Sequence, residues 1–158
     1  MTDNESIADR IAREAREKDQ RRSQASKELG AFLDTAIDHV MPQVDSTIRA
    51  GLQKVFDNVG PNQIQRGNQK GERILQIGAT SKGGMHASVV AKITGKGPIV
   101  DNPHNVHYDM QIEGFVNTSN GRTAEFKIAP DADHTKEPVV LVEFIAATFE
   151  TKIRDLYR

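Results

Sequence analysis

The feature that most constrains this chain is a change in hydrophobic period near its middle. Leu29, Phe32, Leu33, Ala36, Ile37, Val40, Met41, Val44, Ile48, Leu52, Val55 and Phe56 recur at spacings of three and four. That spacing puts an apolar stripe on one side of a 3.6-residue helix and predicts helices over 29–58. Pro42 falls inside the stripe, where it lacks the N–H the ladder needs. A bend there, or a second helix starting at Pro42, is expected. From residue 72 the period falls to two. Segments 72–79, 85–94, 106–117 and 124–129 alternate apolar with polar side chains, as half-buried antiparallel strands do.

Between these regions, "VGPNQIQRGNQKG" at 59–71 combines Gly, Pro and Asn without periodicity and reads as a linker. "EPVVLVEF" at 137–144 reads as a last buried strand because β-branched residues follow Pro138. Val139, Val142, Ala146, Phe149, Ile153 and Leu156 also fit one helical stripe. A C-terminal helix is expected over 145–158. The fold class that results is α+β. N-terminal amphipathic helices pack on an antiparallel sheet of four to five strands spanning 72–144, and a helix closes the chain.

Residues 1–28 form a charged extension ahead of the domain at 29–158. Thr2 and Glu5 have capping-box spacing, which predicts a helix start near residue 3. The apolar stripe here is thin: Ile7, Ile11 and Ala15, then nothing until Leu29. Seven acids and seven bases cancel over 1–28, unlike a basic DNA-binding arm. A helix of this kind gains little from burial, so partial order or a partner is expected.

Composition narrows the function classes. With 158 residues, 37% apolar, the chain suffices for one core. Cysteine is absent, which excludes a disulfide framework, thiolate metal ligands and a cysteine nucleophile. The N-terminal residues have no apolar h-region, and no apolar run approaches the roughly 20 residues that span a bilayer. A cytoplasmic protein with no membrane partner is the expectation.

Three arrangements are candidates for chemistry or binding. Short connections favour an up-and-down meander, which would bring "DNPHNVHYD" (101–109) and "DADH" (131–134) to one end of the sheet. His104, His107, Asp109, Asp133 and His134 would then form a divalent-metal site of imidazole and carboxylate ligands. No helical His-Glu-x-x-His pattern supports it, so no cofactor is the main expectation. Arg66, Lys70, Arg73, Lys82, Lys92 and Lys96 stand against Glu72 alone over 61–96, a basic segment that suits nucleic acid. Phe115 is the one aromatic on the polar strand face, too few for a base-stacking platform. "GATSKGG" has the ingredients of a phosphate cradle without P-loop order, and Ser81, Ser88 and His86 lack a nucleophile elbow.

The apolar helix face carries the most physical weight. Leu33, Ile37, Val44, Ile48, Leu52 and Val55 are the expected partner-binding residues, whether the partner is another copy or another protein. The leading expectation is a non-enzymatic interaction or assembly protein, homo-oligomeric through its helices. A nucleic-acid accessory protein and a small metal-dependent activity are the alternatives.

Overall fold

A computed structural model describes residues 5–97, 106–130 and 138–158. The element order is α1 (Ile7–Gln53), β1 (Asn58–Arg66), β2 (Glu72–Thr80), β3 (His86–Lys96), β4 (His107–Asn117), β5 (Thr123–Ile128) and α2 (Pro138–Leu156). This is the expected α+β architecture: a long N-terminal helix, a five-stranded antiparallel sheet and a C-terminal helix.

The first helix starts later than the Thr2–Glu5 spacing predicts. Ser6 is the N-cap: its backbone is extended and its hydroxyl accepts the Asp9 amide at 3.1 Å. Glu5 turns instead to Arg13, at 3.0 Å. The helix then runs unbroken through Pro42 to Gln53, so no second helix begins at Pro42. Proline costs a helix interior about 3 kcal/mol. Leu33, Ile37 and Met41 before it, and Val44, Ile48 and Leu52 after it, are all buried in one core. Each fully buried side chain of that size contributes about 1.5–3 kcal/mol, so the shared stripe outweighs the lost bond.

The sheet is a meander in the order β1-β2-β3-β4-β5, every pair antiparallel. Turns 81–85 and 118–122 lie side by side at one end, where a Cβ on Gly84 would stand 3.2 Å from that of Ser119. Gly84 and Gly121 supply the positive φ those turns need. The inner face carries Leu75, Ile77, Ala87, Val89, Ala91, Ile93, Met110 and Ile112, all buried. The packed half of α1 lies along it. Leu33 meets Gly71 at the end away from the two turns. At the turn end, the Asp57 carboxylate accepts the Lys82 amide at 2.7 Å.

Two expected elements are corrected. Residues 58–66 are strand β1, not part of a linker, and a turn at 67–71 leads to β2. Asn62 to Arg66 pair with Ile77 to Arg73, and Gly60 and Pro61 fall in a register shift between Val59 and Asn62. Proline is tolerated because β1 is an edge strand. Arg49 donates to the Gly60 carbonyl at 2.8 Å and ties the irregular stretch to α1. Residues 138–144 are helical, not a strand, and begin α2. Leu141, Ile145 and Phe149, spaced by four, bury the stripe of that helix. Phe149 meets Phe56 and Phe126 edge-on, at centroid distances of 5.4 and 5.0 Å. This three-ring contact joins α2 to β5 and to the connection that leaves α1.

Candidate interaction surface

The packed half of α1 is seated by a polar clasp at the Gly71 end. Arg73 projects from the inner face of β2 opposite Ile93, and its side chain is only 4% exposed. Its guanidinium reaches Asp38 at 3.0 Å and Asp34 at 3.2 Å, one helical turn apart on α1. The same Asp34 oxygen accepts the Gly71 amide at 2.6 Å, and Lys70 stands 3.6 Å from its other oxygen. The Gly71 amide, more than any other group, holds the Asp34 carboxyl below its usual range; burial opposes that shift, and Arg73 and Lys70 reinforce it. Burial disfavours the charged Arg73, but hydrogen bonds and charges from Asp38 and Asp34 prevail and raise its pKa. Gly71 has φ +74°, and a Cβ there would lie 2.7 Å from Leu33 Cβ. The helix therefore closes directly onto the turn.

Beyond this clasp α1 leaves the body. None of residues 7–28 is buried, and Ile7 and Ile11 are 70% and 61% exposed. At about 1.5 Å per residue this arm is roughly 33 Å long. It carries seven cations against five anions. The pairs Arg13–Glu17 and Arg21–Glu17, at 3.5 and 3.9 Å, brace it along its own length.

Among the described residues, the outer face of the sheet is the second surface left uncovered. Neither helix lies on it, because both pack on the inner side. It carries Gln76, Lys92, Gln111, Glu113 and Lys127, with half-buried Ile74 and Val90 between them. Phe115, 38% exposed, sits between Ser88 and Glu125. Around Phe115 and Val90 is an open hollow of about 570 Å³. Lys127 pairs with Glu113 at 3.1 Å, and Lys96 with Asp109 at 2.5 Å.

The residues expected to bind a partner are placed differently. Leu33, Ile37, Val44, Ile48 and Leu52 are buried in the chain's own core, and Val55 packs against it. They cover the inner face of the sheet and present nothing outward. The cations of 61–96 do not gather on one surface, although Lys92 and Lys96 share the outer face. Arg73 is inside the clasp, Lys82 lies in the turn at the far end, and Lys70, Lys92 and Lys96 each stand within 4.0 Å of a carboxylate. Arg66 is exposed at the end of β1. Of the metal candidates, His107 and Asp109 share the outer face of β4, 3.4 Å apart. His104, Asp133 and His134 lie outside the described residues. Among the described residues no group of three or more His, Asp or Glu is disposed to hold a metal.

The clasp is absent from the sequence-based expectations, because Asp34 and Asp38 gave no sign of a partner 35 to 39 residues away. Ile7, Ile11 and Phe115 stand out in sequence as apolar residues among polar ones, and that signal matches their exposure. Val139, 71% exposed, and Phe144 add a smaller apolar patch at the start of α2. Among the described residues no helix is long and apolar enough to cross a membrane. Comparison with protein-family models, curated proteins and solved structures finds no match to the chain.

Proposed function

We propose that this chain is a non-enzymatic interaction and assembly protein, cytoplasmic and homo-oligomeric, which associates through the projecting half of α1. The observation that carries this reading is the arm at residues 7–28, a long helical segment with no buried side chain. An isolated helix gains too little from its own hydrogen bonds to offset its ordering entropy. Exposed Ile7 and Ile11 supply apolar surface that another chain would cover. The stripe from Leu33 to Leu52 serves a different purpose, holding the domain together. Association is therefore assigned to the arm and not to that stripe.

Light scattering on the full chain tests the reading. The native protein is expected at a multiple of the 17.5 kDa chain mass. Ile7→Asp with Ile11→Asp is expected to return it to a single chain with its melting temperature nearly unchanged, since both positions are exposed. A native protein that runs as one chain at all accessible concentrations contradicts the proposal.

A further inference from the structure

We infer that the occupant of the sheet's outer face is the helical arm of a second copy, exchanged reciprocally about a twofold axis. The inference rests on the assembly reading and names the surface that assembly uses. Eighteen residues make five turns of an α-helix, so Ile11 points as Leu29 does and Ala15 as Leu33 does. Leu29 lies against Gly97 and Leu33 against Gly71, both at the end of the first sheet. Ala8, Ile11, Ala12 and Ala15 thus continue the sheet-facing side of α1, about 27 Å beyond the sheet that α1 covers. Pro42 lies behind the seated stretch from Leu33 to Met41, so any bend it causes does not redirect the arm.

That continued face needs a second sheet in line with the first. A twofold axis perpendicular to α1, near the Gly71 and Gly97 end, supplies one. It lays the partner's sheet end to end with this one and reverses the direction of the partner's helix. Each sheet then has its own α1 on the inner face and the other chain's arm on the outer face. The interface is isologous and closed, as a twofold interface must be.

Length, composition and area agree with this occupant. The arm, roughly 33 Å long, matches the 11-residue strands β3 and β4 at about 3.3 Å per residue. Ile11 lies about 27 Å from Leu29 along the helix. Phe115 and Val90 lie at a similar depth, about 20–26 Å from the Lys96 end of β3. The one large apolar residue on the continued face therefore comes over the apolar centre of the outer face. Alanines around it let the helix approach closely. The arm carries two excess positive charges, and the exposed charges of the outer face balance, Asp109, Glu113 and Glu125 against Lys92, Lys96 and Lys127, so charge does not oppose the contact. A contact strip about 12 Å wide covers about 400 Å² on each surface. Four such surfaces give about 1,600 Å², the size of a standard stable interface.

The absence of cysteine makes the test clean. Ile11→Cys and Phe115→Cys change exposed positions, and the two chains are prepared separately, mixed, allowed to exchange, and treated with a short bis-maleimide. The inference predicts a covalent dimer in the mixture and none in either variant alone. It also predicts that Phe115→Asp halves the mass seen by light scattering, as Ile11→Asp does. Cross-linking in the Ile11→Cys chain alone would mean that arms pair with each other, and would overturn the exchange. A native dimer that neither cross-links in the mixture nor responds to Phe115→Asp would overturn it too, leaving assembly through the arm intact. A native chain that is monomeric overturns both.

Discussion

Arg73 and Asp34 fix where α1 meets the sheet, and their chemistry has a pH signature. In the folded chain Asp34 releases its proton at lower pH than in the unfolded chain, because the Gly71 amide and then Arg73 favour the carboxylate. Between those two pH values the unfolded state binds more protons, so stability rises with pH across that window. The contribution is complete above roughly pH 4, the ordinary carboxylate value, and fades as pH falls through the folded value. Asp34→Asn is expected to cost on the order of 2 kcal/mol at pH 7, the scale of hydrogen bonds to a charged group. The deficit should shrink below about pH 4. Melting curves from pH 7 to pH 2 check this, and a constant deficit across the range would contradict it. Gly71→Ala adds a Cβ at positive φ and 2.7 Å from Leu33 Cβ, and should cost on the order of 1–3 kcal/mol. Urea unfolding with an unchanged midpoint would contradict that. None of this was legible in sequence. Asp34 and Asp38 sit one turn apart beside an apolar stripe, which any solvated helix edge also shows, and their partner arrives from another element.

At the scale of elements, legibility followed the clarity of the period. α1 between Leu29 and Gln53 and strands β2 to β5 were readable because burial imposes a spacing of 3.6 or 2 on the side chains. β1 was not, because an edge strand buries little and Gly60, Pro61 and the register shift erase its alternation. Its existence depends on hydrogen bonds to β2, which sequence does not display. For α2 both patterns were present at 137–144, and the β-branched residues pointed the wrong way. Val139 and Val140 are exposed, so their preference for strand lost to the burial of Leu141, Ile145 and Phe149. The crossing of α1 and α2 yields a further prediction. A Cβ on Gly51 would stand 2.9 Å from the Cβ of Ile145 and 3.1 Å from the Val142 carbonyl. Gly51→Ala gains about 1 kcal/mol in helix propensity but overpacks a contact at a cost of about 1–3 kcal/mol. A lower melting temperature is expected, and a raised one would show that the helices part without cost.

For the whole molecule, the division of labour along α1 is the central result. One half of a continuous helix covers the inner face of its own sheet, and the other half leaves the body with its side chains in water. The sequence placed the apolar stripe correctly but could not say which surface would cover it. Only the folded sheet, with an inner face of matching length, shows that the stripe is used within the chain. What remained legible was the thin stripe of Ile7, Ile11 and Ala15, and the lone outward aromatic Phe115. Those residues now define the surfaces through which two copies are proposed to meet. Amide hydrogen exchange across α1, measured at low and high protein concentration, tests this most directly. Amides of residues 7–28 are expected to exchange fast in dilute protein and to slow markedly as concentration rises, while those of 33–53 stay protected throughout. Arm amides that exchange equally fast at every concentration would contradict it.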